Sequence, residues 1–122
     1  MPTRQPYSPP RQHLRVRLVE EVRGSVRVGD AVRVLDLSPG GALIEHAEPL
    51  APGETPILSL RLQGKELRLR AHVVWSQVHR RETKPPAPPR LIYRSGLHFP
   101  ELPRATELDL RGYLNLPLAP TA

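Results

Sequence analysis

The sequence predicts a mainly β domain, an antiparallel barrel or sandwich of about six short strands followed by one short helix. Three observations predict it. Apolar and polar residues alternate with period two in several short runs. Glycine, proline, aspartate and serine punctuate those runs at short intervals. Helical spacing of apolar residues begins only after Pro100.

The elements follow in order. Residues 1–10 hold Pro6, Pro9 and Pro10 and are expected to form a flexible arm, since proline continues neither a helix nor a central strand. Leu14, Val16 and Leu18 alternate with Arg15 and Arg17, the pattern of a half-buried strand. Val26 and Val28 alternate likewise, Gly29-Asp30 reads as a turn, and Val32, Val34 and Leu35 lead to Asp36. Asp36-Leu37-Ser38-Pro39-Gly40-Gly41 is a turn by composition. Ala42 to Ile44 is a short strand, and Glu48 to Pro56 a loop. Two alternating runs, Ile57 to Leu62 and Leu67 to Trp75, flank Gln63-Gly64 and predict a hairpin. His79 to Arg90 reads as a proline-rich loop, and Leu91 to Phe99 as the last strand. Thr106, three residues before Asp109, is expected to cap a helix of roughly three turns. Leu110 and Leu114 share one face of that helix, and Pro117 stops it.

The chain has 122 residues, enough for one domain and one core. The boundaries expected are an arm over 1–10, a folded domain over 11–116 and a tail over 117–122. The absence of cysteine excludes disulfides and thiolate metal sites. No apolar run approaches the roughly 20 residues that span a bilayer, and the first residues carry no apolar signal core. A cytoplasmic location is therefore expected. The formal charge is +6, and Lys65 and Lys84 are the only lysines. A genome rich in G and C accounts for much of that arginine bias, so the placement of individual arginines carries more meaning than their number.

Two clusters carry chemistry. The first is Arg11-Gln12-His13-Leu14-Arg15, two guanidinium forks where the arm meets the first strand. The second is the turn holding Asp36, Ser38, Gly40 and Gly41. Guanidinium groups grip phosphate and the O6/N7 edge of guanine. A carboxylate accepts hydrogen bonds from the opposite guanine edge, a hydroxyl donates to phosphate or to its own turn, and glycine lets a flat ligand approach backbone. The set suits a ligand containing guanine and phosphate, and the chemistry alone does not say which. Each residue also has a plain structural reading. Arg11 and Arg15 taken alone are solvated charges, Asp36 and Ser38 are turn formers, and Gly40-Gly41 permit positive φ. Arg17 reads equally as a ligand-side helper or a surface charge, and His13 as a spacer inside the arginine motif. Trp75, Tyr93 and Phe99 are expected in the core.

Arg-x-x-x-Arg at Arg11 and Arg15, followed by Asp-x-Ser-x-x-Gly at Asp36, Ser38 and Gly41, resembles the paired signature of PilZ domains. The segment from Val34 to Glu45, Val73-Val74-Trp75, and Tyr93 to Phe99 resemble strands of that family, so the likeness runs from about Arg11 to Leu114. It implies a six-stranded antiparallel barrel with a C-terminal helix. It also implies cyclic di-GMP as ligand, held between the arginine arm and the turn by Arg11, Arg15, Asp36, Ser38 and Gly41. His13, Arg17 and Gly40 are candidate helpers. Many members carry a basic residue directly before the first motif arginine, where this chain has Pro10.

The expected role is a receptor that changes shape on binding and regulates a downstream protein partner. The alternative is a protein-interaction adaptor with weak or no nucleotide binding. General nucleic-acid binding is disfavoured, because one Trp, one Phe and three Tyr leave little for base stacking. No cofactor or metal is expected: His13, His46, His72, His79 and His98 lack ligand spacing. Neither a Gly-x-Ser-x-Gly elbow nor a Walker loop is present, and no enzyme is expected.

Overall fold

The computed structural model describes residues 16–27 and 30–115. Seven strands and one helix follow along the chain: β1 (Val16–Arg27), β2 (Asp30–Ser38), β3 (Gly41–His46), β4 (Ile57–Leu62), β5 (Lys65–Arg70), β6 (His72–Glu82), β7 (Arg90–His98) and α1 (Arg104–Tyr113). The strands pair antiparallel in the order β5-β4-β1-β2-β3-β7-β6.

The expected six strands are thus seven, and the hydrogen-bonded sheet does not close into a barrel. Both differences have one cause. The alternating run from Leu67 to Trp75 reads as a single strand, but the chain changes partner at Ala71. The N–H groups of Ala71 and Val73 donate to the carbonyls of Pro56 and Glu54, at 3.0 and 2.9 Å, on the β4 side. From His72 onward the opposite edge pairs with β7. β5 and β6 therefore form the two margins of the sheet, joined through Ala71 alone.

Alternation decides which side chains face inward. Val32, Val34 and Leu37 of β2, Ala42 and Ile44 of β3, Leu58, Leu60 and Leu62 of β4, Leu67 and Leu69 of β5, and Leu97 of β7 form one buried cluster. A side chain of this kind stabilises the fold by about 1.5–3 kcal/mol when fully buried. Gln63 and Gly64 turn β4 into β5 with φ of 50° and 79°, the double positive φ of a tight hairpin. Leu110 of α1 and Leu114 at its C-cap are buried in the same cluster, as their spacing predicts.

Three other boundaries differ from the sequence reading. β1 runs unbroken from Val16 to Arg27 instead of as two segments, with a register shift between Arg17 and Val22. β6 and β7 extend to Glu82 and from Arg90, so the expected loop over 79–90 shrinks to 83–89. The helix begins at Arg104 with Pro103 at its N-cap and no side-chain cap bond, leaving Thr106 inside the first turn. Asp109, the other half of the expected cap, instead pairs with Lys65 at 2.8 Å. Leu14, Val28, Gly29 and Pro117, and the arm and tail expected over 1–10 and 117–122, lie outside the described residues. Among the described residues no helix is long and apolar enough to cross a membrane.

Candidate functional site

The turn between β2 and β3 is built by its own polar atoms. Ser38 pairs with Gly41 at the end of the ladder, and Pro39-Gly40 makes the connection. The Ser38 hydroxyl accepts the Gly40 N–H at 3.1 Å and lies 3.4 Å from the Gly41 carbonyl. It is only 2% exposed, so it shapes the turn from inside. The Gly40 carbonyl accepts two further bonds, from the Phe99 N–H at 2.9 Å and from His98 Nδ1–H at 3.1 Å. The turn is thereby pinned to the end of β7.

Gly41 has a different reason to be glycine than the positive φ that the sequence suggests. A Cβ placed there would lie 3.3 Å from the Leu97 carbonyl carbon and closer still to its oxygen. β3 and β7 pack so closely at this point that no side chain fits.

Asp36 is half-buried in β2, one residue off the core pattern. The pairings Asp36↔Leu43, Leu43↔Gly96 and Trp75↔Gly96 set these residues in one row across the sheet, on the face opposite the core, and Arg17 pairs with Asp36 in register. Trp75 ends that row. It is buried, at 8% exposure, but on this outer face and not in the core cluster, where Phe99 does sit. Its indole fills the space a Cβ on Gly96 would occupy. Trp75 is thus buried, as the sequence suggests, and the register shift between Val73 and Trp75 turns it to this face instead of the inner cluster.

Of the residues singled out by sequence, Asp36, Ser38, Gly40 and Gly41 come together at this turn. Arg17 lies opposite Asp36 by register, with its side chain outside the described set. Arg11, His13 and Arg15 also lie outside the described residues. Their point of attachment is nonetheless defined. The first described residue, Val16, pairs with Leu37, one position from Ser38. Arg15 is bonded to Val16, about 3.8 Å away between Cα atoms, and Arg11 lies five residues upstream, within roughly 18 Å at full extension.

A second polar group occupies the same outer face two residues further along the ladder. Glu45, 8% exposed, receives Arg80 Nη2 at 3.0 Å and Arg94 Nε at 3.2 Å, with Arg33 Nη2 at 3.7 Å. Glu82 pairs with Arg90 at 2.8 Å and Arg80 at 3.5 Å. The hydrogen bond from Arg90 holds the Glu82 carboxyl below its ordinary value. These pairs hold the far end of the β6–β7 hairpin, where residues 78–81 of β6 are exposed on both faces. Sequence reading missed them because the partners in Glu45–Arg80 and Glu45–Arg94 are 35 and 49 residues apart. On the inner face, His46 donates from Nδ1 to the Glu48 carbonyl at 2.7 Å and bonds through Nε2 to Ser95 Oγ at 2.6 Å, and its ring stacks on Tyr93. Tyr93 is half-buried there, packed against this histidine. Among the described residues no cluster of His, Asp and Glu could hold a metal ion.

Comparison with known proteins bears on this geometry. The profile of one protein family, described as "PilZ domain", matches residues 9–116. Among solved structures the chain resembles the PilZ domain with c-di-GMP of YcgR from Escherichia coli. That match has a TM-score of 0.65 and 16% identity, and covers 88% of this chain and 90% of that one. No curated protein sequence matches.

Proposed function

The chain belongs to the PilZ domain family, and from that premise we propose that it is a receptor for cyclic di-GMP. Arg11, Arg15, Asp36, Ser38 and Gly41 form the site in this reading, with Arg17, His13 and Gly40 beside it. One observation supports the proposal above the others: among the described residues β1 starts at Val16, paired with Leu37 next to the Ser38 turn, and the arginine motif directly precedes Val16 in sequence. In this reading the segment joined to Val16 reaches across to Asp36, which its covalent length permits.

Each group has a task in this reading. Arg11 and Arg15 bind phosphate oxygens and the O6/N7 edge of guanine as charge-assisted forks. Asp36 accepts from the N1 and N2 donors of guanine. Ser38 holds the turn in shape through the Gly40 N–H, and Gly41 keeps β3 tight against β7, so that the backbone beneath the ligand is rigid. The ligand supplies two phosphate charges and two guanines. The arm closes over it, and that ordering is the signal passed to a protein partner. No covalent chemistry is involved.

Calorimetry tests the reading, with cyclic di-GMP as ligand and GTP and cyclic GMP as controls. Each charge-assisted contact contributes about 1.5–3 kcal/mol, so Arg11→Ala, Arg15→Ala and Asp36→Ala each weaken binding by about tenfold or more. Wild-type affinity in all three variants rejects the site.

A further inference from the structure

We propose that the free edge of β5 is a docking site for an acidic, extended segment of another protein, which adds to the sheet as a further strand. The inference is independent of the nucleotide reading.

The backbone bonds define the edge. Ala71 and Val73 direct their N–H groups to the β4 side, and Val73 also accepts from Gly53 there at 2.9 Å. Along an antiparallel strand, alternate residues point their N–H and C=O to the same side. The backbone groups of Arg68 and Arg70 therefore point away from β4, as do those of His72. At His72 that edge is occupied, since His72 pairs with His98 of β7. One residue pair further the partner is gone. Phe99 turns its N–H to the Gly40 carbonyl, and Pro100 and Pro103 have no N–H to offer. The chain over 100–103 thus runs past β5 without pairing. The space between them is a groove of about 720 Å³, walled by Arg68, Arg70, His72 and Ile57 on one side and residues 100–103 on the other.

Charge and polarity choose the occupant. Arg68 and Arg70 are exposed, and among the described residues neither has an ion-pair partner. Arg33, Arg80, Arg90 and Arg94, by contrast, are all matched to Glu45 or Glu82. Glu101 is the one acid along the groove. Ile57 is 41% exposed beside Arg70, and Leu102 is half-buried opposite. The groove thus offers backbone pairing, two carboxylate-binding forks and an apolar contact in register with them. Edge arginines also repel a second copy of β5. They admit a strand of opposite charge and reject a like one. The chain's own ends do not qualify, because residues 1–15 and 116–122 contain no Asp or Glu. A nucleic acid could meet the arginines but could not use the backbone edge.

The test uses the full chain and a fluorescently labelled ten-residue peptide that alternates glutamate with threonine and valine. Controls are the same peptide with lysine for glutamate, and a ten-nucleotide oligothymidine. Fluorescence anisotropy measures affinity, and amide hydrogen exchange by NMR reads the edge directly. The expected result is binding of the glutamate peptide alone, with slowed exchange at the Arg68 and Arg70 amides. Arg68→Glu with Arg70→Glu lowers affinity by about tenfold or more and leaves cyclic di-GMP affinity unchanged. Ile57→Ser weakens the same binding without reversing charge. The proposal is overturned by failure of the glutamate peptide to bind, by equal binding of the lysine peptide, or by binding without protection of those two amides. Equal binding of the oligothymidine would mark a general anion patch and also overturn it. Protection already present in the free chain, and lost on deleting residues 116–122, would assign the groove to the chain's own tail.

Discussion

Replacing Gly41 by alanine sets two opposing effects against each other, and the structure says which is larger. Alanine restricts the unfolded chain, which alone stabilises by about 0.4–1 kcal/mol. Against this, the new methyl group lies 3.3 Å from the Leu97 carbonyl carbon and nearer its oxygen. Both atoms are backbone and cannot rotate aside, so β3 and β7 must part. Overpacking of this sort costs about 1–3 kcal/mol. Parting the strands here also strains the bond from the Phe99 N–H to the Gly40 carbonyl, 2.9 Å in the native turn, a further loss of about 1 kcal/mol. The net is a destabilisation of about 1–3 kcal/mol. At this chain length that lowers the melting temperature by roughly 4–12 °C. Urea unfolding followed by circular dichroism measures it, with the slope of the transition unchanged. A variant as stable as the parent, or more so, would refute the close-packing account and return Gly41 to a role in turn conformation or ligand access.

Two further predictions concern the same turn and the far end of the β6–β7 hairpin. Ser38→Ala removes the acceptor for the Gly40 N–H and is expected to cost about 1 kcal/mol in urea unfolding; no loss would show that the hydroxyl does not hold the turn. For Glu82 the sign follows from its depressed value, since the folded state favours the carboxylate. Its contribution is present above the unfolded carboxyl value and disappears as pH falls through the folded one. Carbon-detected NMR titration should place the Glu82 midpoint below that of an ordinary glutamate, and Arg90→Ala should raise it. A midpoint that Arg90→Ala does not move would remove Arg90 as the cause.

Much of the fold was legible because burial on one face leaves a period-two trace. Leu58, Leu60 and Leu62, then Leu67 and Leu69, flank Gln63-Gly64 and give the β4–β5 hairpin at once. The Asp36–Gly41 turn is equally plain from composition. The hidden parts share a physical reason: their order comes from partners remote in sequence. The Arg80 and Arg81 end of β6 lacks an apolar stripe because solvent reaches both sides, and ion pairs to Glu45 and between Arg90 and Glu82 hold it. Glu20-Glu21 and Gly24-Ser25 interrupt the alternation of β1, yet its ladder with β2 continues to Arg27. The division at Ala71 leaves no mark in the alternation because both strands keep the same inward phase through it, with Leu69, Ala71 and Val73 all buried. At the site, sequence identified the turn residues. It could not show that Gly41 answers to Leu97, 56 positions on, or that Trp75 ends the row containing Asp36.

The hinge at Ala71 has a mechanical consequence. One uninterrupted length of backbone, from Lys65 to Glu82, borders both sides of the molecule. Residues 71–73 bond residues 53–56 on one edge and β7 on the other, so loss of the bonds on one edge loosens the strand carrying Trp75 as well. The amides bonded across β4–β5 and across β6–β7 are thus expected to exchange together, while the Arg68 and Arg70 amides on the free edge exchange faster.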